Sequence, residues 1–567
     1  MNIIGIDLGT TNSLASYWQD GKATLIANAL GKVVTPSVVG IDDHGEIIVG
    51  ELAKQRLQMH PDKTIANFKR HMGSNKTLRL GRKKYRPEEL SALILKSLKA
   101  DAQASLGTEI TDVVISVPAY FSDAQRKATQ TAGRLAGLNV KRLINEPTAA
   151  AIAYGLHHNT ENETTFLVFD IGGGTFDVSI LELFDGVMQV NASSGDNRLG
   201  GEDFVDILVK NFANKNELKL EKLKGKDLAN LRAAAERCKR ALSSDKTATM
   251  SLSLKKKTLE TQITREHFNH LCSQLLQRLR KPLERALNDA NLSGEDLDSV
   301  ILVGGASRMP VIRSLASKML GKIPSASINP DEIIALGTAV QIGLMQNDES
   351  LKEIVLTDVS PYTLGIDVLN ENAYDSDQSL FHPIIERNSP VPVSRSNIFC
   401  TARDNQTVID INVFQGEARL VEGNIKLGSL SIAVPRATAG QESIEVRFTY
   451  DINGLLEVEA KVISNDTTKR VVIEGNPGMM TEKEINQRLA LLEDLKIHPR
   501  EKLENSVLLA RGERLYEEAL GETRKYIANV MNEFDSILNR QDPEKISQAV
   551  AEITLIFDDL EADSPLY

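Results

Sequence analysis

Two distant stretches of this chain share one arrangement. In Ile3-Ile4-Gly5-Ile6-Asp7-Leu8-Gly9-Thr10-Thr11-Asn12-Ser13 and in Phe169-Asp170-Ile171-Gly172-Gly173-Gly174-Thr175-Phe176-Asp177, an apolar run reaches an aspartate, then glycine and hydroxyl residues, then a second run. Thr165-Phe166-Leu167-Val168-Phe169 reads as a buried strand, and Val178 to Leu183 alternates as its partner. Glycine turns let several backbone N–H groups converge on one anion. The flanking aspartates are hard oxygen ligands suited to magnesium or its waters. A single such turn is weak evidence, because most are ordinary tight turns. Two of them can grip a polyphosphate from both sides. Neither continues into Gly-Lys-Ser/Thr and a helix, so this is not a Walker-type loop.

Each hairpin is followed by the same strand–loop–helix order. Val113-Val114-Ile115-Ser116-Val117 closes at Pro118 and precedes a helix expected from Asp123, as its N-cap, to Gly137. Val300-Ile301-Leu302-Val303 precedes Gly304-Gly305 and a helix starting near Pro310. The duplication implies two similar lobes with a ligand between them. Between the second hairpin and its late strand, Leu228, Leu231, Ala235, Cys238 and Leu242 form the apolar stripe of a helix. Glu236, Lys239, Arg240 and Ser243 form a polar ridge beside it, by itself readable as a solvated face. A second helix is expected from Thr264 to Ala290, bent at Pro282.

The pattern changes near residue 350. Polar Asn347-Asp348-Glu349-Ser350 leads into the short apolar strip Ile354-Val355-Leu356-Thr357-Asp358. From Ser360 to Ile473 the apolar residues alternate as in strands, with a hairpin turn at Asn453-Gly454. Thr481 and Glu484 form a capping box that opens a helical segment, with a break at His498-Pro499 and a new start at Asp542-Pro543. The expected units are residues 1–349, a linker at 350–358, a sandwich at 359–475 and a helical segment at 476–567.

Composition narrows the classes. At 567 residues, 41% hydrophobic and 25% charged, the chain reads as a soluble multidomain protein. The formal net charge of −11, without a Lys/Arg block, argues against a nucleic-acid partner. No apolar run nears a membrane span, and Asp7 interrupts any signal-like start. Cys238, Cys272 and Cys400 lack metal spacing, so free thiols in a reducing, cytoplasmic location are expected. His267 and His270 near Cys272 lack a fourth metal ligand, and His157-His158 reads as a surface loop.

Further stretches carry a resemblance: Val117-Pro118-Ala119-Tyr120-Phe121, Ile144-Asn145-Glu146-Pro147-Thr148-Ala149-Ala150-Ala151, Gly200-Gly201-Glu202-Asp203-Phe204, Val303-Gly304-Gly305-Ala306-Ser307-Arg308 and Ile328-Asn329-Pro330-Asp331-Glu332. With the two hairpins they resemble the seventy-kilodalton heat-shock (DnaK-type) chaperone family to about residue 475. The resemblance implies an α/β actin-like duplicated-lobe ATPase domain, then an antiparallel β-sandwich and a C-terminal α-helical lid. It also implies an ATP-dependent chaperone of the stress response, binding extended apolar segments of unfolded proteins. Its cofactors would be ATP/ADP and Mg2+, with K+ as a further candidate.

By that resemblance Asp7 and Asp170 would hold magnesium through water, and Lys69, Glu146, Thr175 and Asp177 would serve hydrolysis. Gly9, Thr10, Thr11, Asn12, Gly172, Gly173, Gly174, Thr175 and Gly201 would meet phosphates. Glu236, Lys239, Arg240 and Ser243 would face Gly304, Gly305, Arg308 and Asp331 across adenosine. Pro118, Arg126, Leu356 and Asp358 would relay nucleotide state, and Arg142 would meet a J-domain cochaperone. Ile366, Leu369, Phe399, Ala402, Ile409 and Ile411 would wall a peptide groove, although alone they read as plain core. The segments from Gly73 to Pro87 and from Asp245 to Ile263 are shorter than in the DnaK type, which is most like the bacterial HscC subfamily. That trimming removes surface a nucleotide exchange factor would grip. A small-molecule kinase or an actin-like filament protein on the same ATPase fold is the alternative; neither needs the residues beyond 350.

Overall fold

The computed structural model describes residues 2–158, 163–184, 187–223, 225–254, 257–325, 329–351, 355–369, 379–473, 503–519, 521–540 and 543–562. Ile3–Leu8 is the centre of the first sheet, pairing antiparallel with Asn12–Gln19 and parallel with Asp112–Val117. Covered on both sides, it is buried at nearly every position and reads as a continuous apolar run. Lys22–Ile26 and Asn139–Asn145 extend the two flanks. The second sheet repeats the plan. Thr164–Ile171 pairs antiparallel with Phe176–Phe184 and parallel with Ser299–Val303, and Val187–Asp196 follows the hairpin. The duplication in the sequence is thus a duplication of sheet topology.

The helices Glu146–His158 and Ile333–Met345 cross between the sheets and share a core with Val114, Phe166, Val168 and Val303. Their contact is backbone to backbone: a Cβ on Gly337 would lie 1.9 Å from the Ala149 carbonyl oxygen. That closeness explains the alanine run Ala149-Ala150-Ala151. The first of these helices runs through His157-His158, where a loop was expected. The helix Asp123–Leu135 is capped by Ser122, one residue before the expected cap, in a capping box with Gln125. The helix expected over Thr264 to Ala290 is two, Arg265–Leu271 and Ser273–Asp289. It breaks at fully buried Cys272, while Pro282 stays within the second helix.

Val355–Val359 is a strand, not a loose connector. Its residues Val355, Leu356 and Thr357 pair in parallel with Val187, Met188 and Gln189, which adds it to the second-lobe sheet. Beyond it stand two four-stranded sheets. Ser379–Ile385, Leu364–Leu369, Val408–Gln415 and Ile425–Ala433 form one; Val393–Cys400, Ser443–Tyr450, Leu456–Val462 and Thr468–Ile473 form the other. All neighbours within each sheet are antiparallel, and Ile411, Val413, Val446, Phe448 and Val458 fill the space between. Leu503–Glu518, Gly521–Arg540 and Pro543–Ala562 bundle around Phe534, Leu538 and Phe557. The expected capping box at Thr481 and Glu484, the break at His498-Pro499 and the residue Asp542 lie outside the described residues. Among the described residues no helix is long and apolar enough to cross a membrane.

Candidate active site

A cleft of about 940 Å³ opens between the lobes. Gly9, Thr10, Thr11 and Asn12 line it from the first hairpin, and Gly172, Gly173 and Thr175 from the second. The turns approach so closely that a Cβ on Gly173 would fall 2.0 Å from Thr11 Oγ1. Gly201, Glu236, Lys239, Arg240 and Ser243 line a further wall, opposite Gly304, Gly305, Arg308 and Asp331. The polar ridge of Lys226–Ser244 thus faces a cavity, with Lys239 and Arg240 both paired to Glu236, at 2.7 and 2.6 Å. Arg308 pairs with Asp331 at 2.6 Å and donates to Asn329. Gly304 has φ +79, a left-handed conformation that glycine adopts without strain, and places Gly305 at the rim.

At the floor lies an acidic cluster. Lys69 Nζ pairs with Glu146 Oε1 at 2.8 Å, and both are buried. Asp7 accepts from Ser116 Oγ at 2.8 Å, and Asp177 Oδ1 accepts from the Tyr120 N–H at 2.8 Å. Asp170 Oδ2 is buried without a protein partner. Burial, then the Glu146 charge, raises the carboxyls of Asp7 and Asp177 to about 7 and that of Asp170 well above its ordinary value. Four carboxyl groups around one lysine leave negative charge that a cation would offset. Among the described residues no three His, Cys, Asp or Glu side chains are arranged to hold a metal directly. The orphaned Asp170 oxygen and the excess of carboxylates therefore fit an ion held through its water.

Two expected residues are not on the cleft wall. Gly174 packs against Arg70, whose Cγ would lie 2.6 Å from an added Cβ. Asp177 stands behind the wall on the Tyr120 amide. Sequence reading did not find Arg70, which ties the lobes through Asp203 at 2.9 Å and the Arg198 carbonyl. Its position next to Lys69 in Phe68-Lys69-Arg70 was the only signal available.

The expected relay residues meet at one junction. Arg126, 5% exposed, donates to the carbonyls of Ala119 and Phe121 and to Asn145 Oδ1 at 2.6 Å. Asn145 Nδ2 donates to Asp358 Oδ2 at 2.8 Å. Pro118 is buried beside this chain of contacts. Leu356 and Arg142 share a small cavity with Leu344, Met345 and Leu351. The sandwich rests on the same face: Asn453 Oδ1 accepts from the Leu143 N–H, and Lys127 donates to the Ile473 carbonyl. Arg387 makes a two-pronged pair with Asp289 at 2.7 and 2.8 Å, and Asn388 also donates to Asp289.

The expected groove residues divide. Ile366 and Ile411 are buried within the sandwich core, and Phe399 and Ile409 pack partly against it. Leu369 and Ala402 are exposed.

Fold and site together define a two-lobed α/β domain with a phosphate-type cleft, joined through a paired strand to a β-sandwich and a helical bundle. The sequence profile of the Hsp70 protein family matches residues 3–79 and 76–563, and the chain belongs to that family of ATP-dependent chaperones. It is 41% identical over 587 residues to the chaperone protein DnaK of Thermosipho melanesiensis, covering 99% of this chain and 95% of that protein. A DnaK of Thermotoga neapolitana is likewise 41% identical over 591 residues, covering 99% and 96%.

Proposed function

We propose that the chain hydrolyses ATP in the interlobe cleft and uses that cycle to bind and release extended apolar segments of unfolded proteins. The observation that carries this reading is the linker strand, hydrogen-bonded into the sheet that bears Asp170 and Asp177 while leading directly into the sandwich. Gly9 to Asn12, Gly172, Gly173 and Thr175 would donate to phosphate oxygens, and the Glu236–Ser243 ridge would hold adenosine. Magnesium bound with the nucleotide supplies charge neutralisation at the transferred phosphoryl group. Asp7 and Asp170 would orient its water shell. Lys69, fixed by Glu146, would stabilise charge developing on the γ-phosphate, and Asp177 would position the attacking water. K+ is a second candidate ion at the phosphates.

Leu369, Phe399, Ala402 and Ile409 support the groove reading best, because they are not sealed in the core. An extended segment there would bond through its backbone and place side chains in pockets. Arg142, beside the linker, suits a J-domain cochaperone. The proposed units are residues 1–349, 350–358, 359–475 and 476–567, in the cytoplasm. The HscC likeness rests on the two shortened segments, since the relatives at 41% carry the name DnaK. A kinase or filament protein would leave the sandwich and its linker without a role. The test is single-turnover ATP hydrolysis with and without an unstructured apolar peptide. Acceleration is expected; hydrolysis indifferent to peptide would contradict the reading.

A further inference from the structure

Tyr120 is held at every polar atom it has. Its N–H donates to Asp177 Oδ1 at 2.8 Å. Its carbonyl accepts from Tyr362 Oη at 2.7 Å and from Asn197 Nδ2. Its hydroxyl accepts from Arg285 Nη1 at 3.3 Å. Its ring lies 4.3 Å, centroid to centroid, from that of Tyr362. Tyr362 belongs to the segment that enters the sandwich, so one side chain from beyond the linker grips the residue that grips Asp177. Asn197 Nδ2 also reaches Tyr362 Oη at 3.3 Å, which closes the cluster. There is no slack beneath it: a Cβ on Gly195 would meet Tyr120 Cβ at 2.8 Å and Asp177 Oδ1 at 3.0 Å.

We propose that Tyr362 is a positioning residue that holds Asp177 back from the cleft while the sandwich is docked. Asp177 is the one acidic residue of the cluster that does not line the cleft wall. The backbone amide that occupies its Oδ1 is fixed by the Tyr362 hydroxyl and ring. A carboxylate locked on a backbone donor is a poorer acceptor for the attacking water and cannot turn toward it. When the sandwich leaves, Tyr362 leaves with it; Tyr120 loosens, and Asp177 gains freedom to face the nucleotide. The inference rests on the ATPase reading above and adds the side chain through which docking restrains hydrolysis.

Single-turnover ATP hydrolysis by the full chain tests it, using wild type, Tyr362→Phe, Asp177→Asn and the double variant. Tyr362→Phe keeps the ring and removes the hydroxyl. Loss of one hydrogen bond predicts a basal rate raised between about twofold and tenfold, with ATP affinity unchanged. Tyr362→Leu, which also lacks the ring, should raise it at least as far. Small-angle X-ray scattering with ATP should give Tyr362→Phe the wild-type dimensions, which separates the local tie from general undocking. In Asp177→Asn the Tyr362→Phe substitution should have no effect, because its route passes through that carboxylate. A wild-type rate in Tyr362→Phe, or the same fold-change with and without Asp177, overturns the proposal. A wild type that hydrolyses no ATP would instead overturn the functional reading.

Discussion

Lys69 and Asp177 show how differently single residues enter the sequence. Nothing around Lys69 separates it from a surface lysine; only the family resemblance pointed to it, and only the fold buries it on Glu146, 77 positions away. If it acts mainly on developing phosphoryl charge, Lys69→Ala should bind ATP nearly as well as wild type. Its single-turnover rate should fall at least about 100-fold. A wild-type-like rate would remove Lys69 from the mechanism. Asp177 bears on stability as well. Its carboxyl binds a proton more tightly folded than unfolded, being raised from 3.8 to about 7. Its contribution therefore favours folding below pH 4 and is lost as the pH rises towards about 7. Asp177→Asn, without nucleotide, should raise the Tm by about 2–4 °C at pH 8, and the gain should vanish near pH 4. A gain that grows on acidification would contradict the assignment.

At the scale of elements, the hairpins and the sandwich strands were legible because their signal is local: apolar periodicity broken by glycine. The helix break at Cys272 was not, since nothing in Thr264 to Ala290 except Pro282 interrupts the helical pattern, and Pro282 stays helical. Ser122 caps the helix Asp123–Leu135 where Asp123 was expected, because neighbouring good capping residues compete and the backbone decides. Of the expected groove residues, Ile366 and Leu369 lie three positions apart on one strand, so its alternation turns them to opposite faces, one into the core and the other exposed. The strip Val355–Val359 looked like a greasy linker and is a sheet strand whose Leu356 packs against the second lobe. Full burial of a leucine contributes about 1.5–3 kcal/mol, and the partly buried Leu356 contributes less, still on the scale of a typical coupling free energy of about 1–3 kcal/mol. Leu356→Asp should thus leave basal hydrolysis and peptide binding in place while abolishing stimulation by peptide. If peptide still accelerates hydrolysis in that variant, the strip is only a tether.

Across the whole molecule, what the sequence could not disclose is the docking of sandwich on lobes. Tyr362 on Tyr120, Asn453 on Leu143 and Arg387 on Asp289 join positions far apart in the chain, and no periodicity marks them. The docked arrangement places all three contacts on the face that carries the linker strand. Arg387→Ala should loosen docking and tighten peptide binding in the presence of ATP about tenfold, with little change in ADP; equal affinities in wild type and variant would make that ion pair incidental. The central claim is that nucleotide and peptide are coupled through this face. The most direct measurement is the affinity of a fluorescent unstructured peptide for the full chain, by polarisation, in saturating ATP and in saturating ADP. The account predicts binding at least about tenfold weaker in ATP. The same affinity in both nucleotides would contradict it.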